Sequence, residues 1–152
     1  MQNKGIAFYF KKINEEMTKK MNIALKKYDL HFSQLEALLF IFKCENQTAS
    51  LQQIKNHFNL AHPTVIGIMK RLEAKGFVKS FTDQKDKRIR LYKLTDKAYD
   101  FKSKLIIGRK NVESNFEKSL SQEEYYQLKL LLNKVYLNLI EGGYDNAFEN
   151  FN

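Results

Sequence analysis

The side chains with the most chemistry to offer lie between residues 50 and 95. His62, Thr64, Ile66, Gly67, Lys70 and Arg71 share the exposed face of an expected helix that carries Pro63 in its first turn. Such a face suits the major groove of DNA, because N-terminal helix residues reach base edges. Thr64 and the helix N-terminus can hold a phosphate, Ile66 can touch a thymine methyl, and Gly67 lets backbone approach closely. Downstream, Lys85-Asp-Lys-Arg88 is a charged turn. Arg88 there suits a narrow, electronegative minor groove. Asp86, two residues away, can orient the Arg88 guanidinium through a charge-assisted pair. A solvated helix face and a solvated turn would use the same residue types, so position in the chain has to decide.

Other chemistries find little support. Cys44, His31, His57 and His62 show no nucleophile–base spacing, and no Gly-rich phosphate loop occurs. The histidines are separated by 26 and 5 residues, which places no two on adjacent helical turns, so no metal site is expected. Cys44 follows the apolar run Leu38–Phe42, where burial as a small hydrophobe is favoured over redox sensing. The aromatic residues Phe8, Tyr9, Phe10, Tyr99 and Phe101 fit either a ligand pocket or plain packing, and packing is the simpler reading. No cofactor and no enzymatic activity are expected.

The elements that must position these residues are mostly helical. Ile6, Phe10, Ile13, Met17, Met21, Ala24 and Tyr28 recur at spacings of three and four, predicting an amphipathic helix over 5–28. Ser33-Gln-Leu-Glu36 reads as a capping box that opens a second helix, with Leu35, Leu38, Leu39 and Phe42 inward. Ser50-Leu-Gln-Gln53 opens a third, short helix with Leu51, Ile54 and Phe58 inward. After a turn at Asn59 and Leu60, the helix of Pro63 follows, burying Val65, Ile68, Met69 and Leu72 and ending at Lys75-Gly76. Two helices joined by so short a turn make a helix-turn-helix. Phe77–Phe81 and Arg88–Leu94 then read as a β-hairpin, with Arg88, Arg90 and Tyr92 on one face. Thr95 can cap a further long helix, Ser121-Gln-Glu-Glu124 boxes the last one, and Gly142-Gly143 stops it. The tail Tyr144–Asn152 adds Phe148 and Phe151, with packing on a partner and a loose end both open.

Composition limits the class. The 152 residues carry a net charge of +9, and residues 51–100 hold 11 basic against 5 acidic side chains. Residues 101–152 are balanced at 7 and 7. A basic excess centred on the helix-turn-helix favours nucleic acid as the polyanion partner. One cysteine excludes an internal disulfide and fits a reducing compartment, so the chain is read as cytoplasmic. The N-terminal segment lacks a secretory signal, and no apolar run approaches the roughly 20 residues that span a bilayer, so no membrane role is expected.

These residues resemble the MarR family of bacterial transcription regulators. The likeness rests on HFSQLEALLFIF, LAHPTVIGIMKRLEAKGFV and DQKDKRIRLYKLTDKA, and above all on Asp86-Lys-Arg88 followed by Leu94-Thr95. It departs at Ile66-Gly67, where family members often carry a hydroxyl followed by Arg or Asn, and at Ala98, where a Gly is usual. The resemblance implies a mainly α fold with a small β-hairpin: a winged helix-turn-helix lobe flanked by long N- and C-terminal dimerisation helices. It makes residues 1–152 one MarR-like domain, with the DNA-binding lobe at 32–95 and a dimerisation region at 5–28 and 96–141. Phe10, Ile13, Met17, Val112, Phe116, Leu128, Leu132, Val135 and Leu139 would meet a second copy of the chain. Ser50, Gln52 and Thr64 would hold phosphates, with His62, Pro63, Ile66, Gly67, Lys70, Arg71, Lys85, Lys87, Arg88 and Arg90 completing the contact to double-stranded DNA. The function implied is a homodimeric repressor of a palindromic operator, released by an effector, with small phenolic or other aromatic anions as the class that family members bind. An architectural DNA-binding protein of low specificity and a winged-helix scaffold for protein partners are the alternatives.

Overall fold

The computed structural model describes residues 4–141, with side-chain surroundings for all of these but 105, 108–113 and 115. The Val112 side chain, the stop at Gly142-Gly143 and the tail from Tyr144 onward lie outside the described residues. The chain divides into two compact units, Met1–Ile107 and Gly108–Asn152. Its elements are α1 (Ile6–Leu25), α2 (Phe32–Lys43), β1 (Thr48–Ser50), α3 (Leu51–Phe58), α4 (His62–Ala74), β2 (Val78–Thr82), β3 (Arg90–Leu94), α5 (Asp96–Glu117) and α6 (Gln122–Ile140).

The expected helix over 5–28 is shorter than its apolar stripe. α1 ends at Leu25, a 3₁₀ turn covers Lys26–Tyr28, and Asp29 adopts a left-handed conformation with φ 54°. Asn22 then joins α1 to the next helix, because its Oδ1 accepts from the Phe32 N–H at 2.7 Å. That helix, α2, does not open at Ser33-Gln-Leu-Glu36 as expected. His31 is its N-cap, and the Gln34 Oε1 accepts from the His31 N–H at 3.1 Å. The start, two residues earlier than expected, leaves Ser33 exposed and buries Gln34 completely.

The other two capping boxes form as read. At α3 the Ser50 N–H donates to Gln53 Oε1 at 2.8 Å, and the Gln53 N–H returns to Ser50 Oγ at 3.1 Å. At α6 the Ser121 N–H donates to Glu124 Oε2 at 2.8 Å, and the Glu124 N–H returns to Ser121 Oγ at 3.3 Å. Hydrogen bonds from Ser121 hold the Glu124 carboxyl below its usual range. Asn59, left-handed at φ 48°, turns the chain from α3 into α4.

The hairpin is one strand richer than expected. β3 is central in a three-stranded antiparallel sheet of order β1-β3-β2. Thr48 pairs with Lys93 and Ser50 with Leu91 on one side, while Val78 pairs with Leu94 and Ser80 with Tyr92 on the other. The strand bounds shift too, from the expected 77–81 and 88–94 to Val78–Thr82 and Arg90–Leu94. The face shared by Arg90 and Tyr92 turns inward at its far end, so Tyr92 and Leu94 are buried.

One core lies in the first unit. Leu35, Leu38 and Ile41 of α2, Ile54 of α3, and Val65, Ile68, Met69 and Leu72 of α4 meet Val78, Tyr92 and Leu94 of the sheet. Ala98 and Phe101 of α5 and Leu25 at the end of α1 join the same cluster. Burying each large aliphatic side chain contributes about 1.5–3 kcal/mol, so α4 is seated by its four apolar residues and its opposite face is left free.

Candidate nucleic-acid interface

On α4, His62, Pro63, Thr64, Lys70 and Arg71 are exposed, whereas Ile66 and Gly67 are half-buried. Ala61 is the N-cap and supplies no side-chain cap, and the Thr64 N–H returns to its carbonyl at 3.0 Å. Proline in the first turn lacks an N–H, so it costs that turn nothing. Gly67 has a role that the sequence did not show. A Cβ built there would stand 3.5 Å from the Arg71 guanidinium, so Arg71 leans back along its own helix over the glycine.

The C-terminus of α4 is tied down on three sides. The Gly76 N–H bonds the Glu73 carbonyl at 2.9 Å and the Phe77 N–H bonds the Leu72 carbonyl at 3.0 Å. These two bonds are a Schellman motif, and they require the left-handed residue that Gly76 supplies at φ 74°. The Thr95 hydroxyl, at the N-cap position of α5, donates to the Gly76 carbonyl at 2.6 Å. Lys75 Nζ donates to the Asp29 backbone carbonyl and lies 3.3 Å from the Asp29 carboxylate. The sequence reading missed both Lys75 and Asp29, because they are 46 residues apart and share no local pattern.

The wing tip is built by two carboxylates. Asp83 Oδ1 accepts from the N–H groups of Lys85 at 2.7 Å and Asp86 at 2.9 Å, an Asx turn that fixes the reversal. Backbone bonds from Asp83 to Ile89 and from Ile89 to Asp86 close it. Asp86 then grips Arg88 three times: Oδ1 accepts from the backbone N–H at 3.0 Å and from Nε at 3.1 Å, and Oδ2 from Nη2 at 3.2 Å. These bonds from Arg88 hold the Asp86 carboxyl below its ordinary range. The Arg88 side chain nevertheless remains 91% exposed. It is a cation held in one orientation and presented outward, with Lys85 and Lys87 exposed beside it.

Other expected site residues are placed as follows. Ser50 spends its acceptor on α3, and a hydroxyl in that role still has a proton to donate. Gln52 is exposed and donates to Asn56 Oδ1 at 2.7 Å. Arg90 does not stand with Arg88 at the tip. It opens β3 opposite Thr82, just below the tip, and its guanidinium turns to Glu73, with Nη2 3.5 Å from the carboxylate. Glu73 and Ser80, its partners there, carried no signal in the sequence. Asp83 could have been found, since Asp at the start of a polar turn is a known turn former.

Cys44 is half-buried, its Sγ donates to the Phe40 carbonyl at 3.4 Å, and burial pushes the thiol up. His57 stacks on Phe40 at 4.1 Å. Among the described residues no group of three or more His, Cys, Asp or Glu side chains is placed to hold a metal ion. The five aromatic residues considered for a pocket separate. Phe8 packs on Tyr9 within α1, and Tyr99 packs on Phe42 and donates to Gln47 Oε1 at 3.0 Å. Of the five, Phe101 lines an open cleft of about 510 Å³ with Tyr28 and Phe77, four lysines (Lys26, Lys27, Lys97 and Lys104) and two carboxylates, Asp29 and Asp100.

Residues 33–89 match the model of the MarR family. This lobe is thus similar to the winged helix of the MarR family. The match includes Asp86-Lys-Arg88 and ends before Leu94-Thr95, so it supports the resemblance over residues 33–89. No curated protein matches the sequence. Among solved structures, the fold is similar to that of Staphylococcus aureus MepR in a DNA complex, with a TM-score of 0.81 and 23% identity over 90% of this chain and 99% of that one. It is also similar to a mutant MarR from E. coli complexed with operator DNA, at a TM-score of 0.75 and 22% identity over 86% and 92%. A further MepR structure, described as a transcription regulator of the multidrug efflux pump MepA, matches at a TM-score of 0.71 and 22% identity over 90% and 99%. The winged-helix fold with its flanking N- and C-terminal helices is therefore that of the MarR type. Among the described residues no helix is long and apolar enough to cross a membrane.

Proposed function

We propose that the protein is a sequence-specific DNA-binding transcription regulator, a cytoplasmic homodimer that represses from a palindromic operator and is released by an effector. The observation that carries this reading is the Asp86–Arg88 pair. A guanidinium held by two hydrogen bonds to Asp86, with a third from its own backbone N–H to the same carboxylate, and still 91% exposed, has lost much of its rotamer freedom in advance, which is what a groove contact needs. α4 supplies the second element, an exposed face with Thr64, Lys70 and Arg71 fixed by the core behind it. In this reading α4 enters the major groove, Arg88 enters the minor groove, and Ser50, Gln52 and Thr64 hold phosphates. The MarR-type match and the DNA complexes of the similar structures support it.

The homodimer rests on uncovered apolar surface. Phe10 and Ile13 of α1 are 42% and 46% exposed, and Leu132, Val135 and Leu139 of α6 are 38%, 45% and 44% exposed. Met17, Phe116 and Leu128 are half-buried. Apolar faces of this extent mark interfaces. Two copies would place their α4 helices one DNA turn apart, about 34–36 Å, against a pseudo-palindrome. For the effector, the cleft lined by Tyr28, Phe77 and Phe101, with four lysines against the two carboxylates of Asp29 and Asp100, keeps a net positive charge that suits a small aromatic anion. Catalysis has no part in this reading.

The test is a selection from randomised DNA, followed by titration of the winning sequence with wild type and Arg88→Ala. A palindrome with half-sites one turn apart is expected, and the variant should lose roughly 1–3 kcal/mol of binding per site. An enriched site that Arg88→Ala binds as well as wild type would sink the docking; weak binding with no enriched sequence would point to an architectural protein.

A further inference from the structure

The wing hangs from α4 by only three linking residues, and one of them is Gly76. The inner end of the wing is seated by β1 and by Val78, Tyr92 and Leu94 in the core, and its outer half has a further tie to α4. Glu73, in the last turn of α4, reaches both strands of the hairpin. Its Oε1 accepts from the Ser80 N–H of β2 at 2.9 Å and from the Ser80 hydroxyl. Its Oε2 lies 3.5 Å from Nη2 of Arg90 on β3, and that same nitrogen donates to Ser80 Oγ. Ser80 faces Tyr92 across the β2–β3 register, and the Arg90 guanidinium lies over the Tyr92 ring at 5.9 Å. A single carboxylate thus joins the candidate recognition helix to both arms of the hairpin that carries Arg88.

The charge is informative. A carboxylate close to bound DNA repels it, so its presence in the most basic third of the chain has a cost. We infer that Glu73, Ser80 and Arg90 form a clamp that sets the wing against α4, which makes Glu73 and Arg90 positioning residues for DNA binding and not contacts to it. The inference rests on the DNA-binding reading above, and it reassigns Arg90 from groove contact to brace. Without the clamp, Arg88 keeps its partner Asp86 but loses its place relative to α4.

Coulomb's law and the clamp predict opposite signs for one substitution. Glu73→Gln is isosteric and removes a negative charge, so electrostatics alone would tighten binding. The clamp predicts weaker binding, by roughly tenfold for a misplaced wing contact worth about 1.4 kcal/mol. The experiment measures affinity for the selected operator with full-length wild type, Glu73→Gln, Arg90→Gln and the double variant, each checked for an unchanged thermal midpoint. Ser80→Ala, which deletes one hydroxyl, is the variant to use should either charge change unfold the chain. The double variant should bind no worse than the weaker single one, because both remove the same brace. Glu73→Gln binding equal to or tighter than wild type would overturn the clamp. So would strict additivity, which would make Arg90 a DNA contact in its own right. A wild type that selects no DNA would instead defeat the DNA-binding reading itself.

Discussion

Glu73 and Asp86 both sit below the ordinary carboxyl range, held there first by their hydrogen bonds to Ser80 and Arg88 respectively. A carboxyl whose folded value is lowered contributes fully above its unfolded value and loses that contribution as pH falls through the folded one. With an ordinary value of 4.5 for Glu73, the clamp stays charged throughout the neutral range. The affinity gap between wild type and Glu73→Gln should therefore hold constant between about pH 6 and 8; a gap that closes across that range would mean that Glu73 titrates there. Cys44 runs the other way. Burial raises its thiol, so the reactive thiolate is scarce at neutral pH. A thiol-specific reagent should react more slowly with the native protein than with the urea-unfolded chain at the same pH. Equal rates would reopen Cys44 as a redox sensor.

Among the elements, α4 is the one on which everything else is aligned, and its ends show how local and distant forces divide the work. Gly76 at φ 74° has open space around it, since an added Cβ would meet only the Lys97 side chain at 3.9 Å. The cost of Gly76→Ala is therefore conformational, about 1–2 kcal/mol, and urea unfolding should show it with an unchanged m-value. α2 shows the opposite case. Ser33-Gln-Leu-Glu36 is the better local capping box, yet His31 takes the cap. Asn22 from α1 claims the Phe32 N–H and Lys75, the C-cap of α4, lies 3.4 Å from Gln34 Oε1, so neighbours from both sides set the start of the helix. Local preference of this kind is worth about 1 kcal/mol, which two tertiary contacts easily override.

For the whole molecule, the homodimer proposal rests on the exposed apolar residues of α1 and α6, which a second copy would cover. The protein should sediment at twice its 18.0 kDa chain mass. Replacing Leu132 and Val135 together by Glu should yield monomers and abolish binding to the palindrome while each lobe keeps its fold, because the core of the first unit does not use those residues. A wild type that sediments as a monomer at micromolar concentration, and still binds the operator, would defeat the homodimer reading.

What the sequence by itself determined is what repeats locally. Apolar spacings of three and four drew α1, α4 and α6, two Ser boxes opened α3 and α6, and Asp86-Lys-Arg88 announced its own ion pair, because all of these are interactions across two to four residues. The candidate DNA face of α4 followed by subtraction, once Val65, Ile68, Met69 and Leu72 were assigned inward. The tertiary structure decided the rest. β1 is three residues long, too short to show an alternating pattern, and exists because β3 offers it an edge. Arg90 looked like a second Arg88 until Glu73, seventeen positions upstream, was found beside it. Lys75 and Asp29 meet only because α4 ends against the corner between α1 and α2. Charged side chains look alike in sequence, and only the fold shows which ones face each other and which face outward.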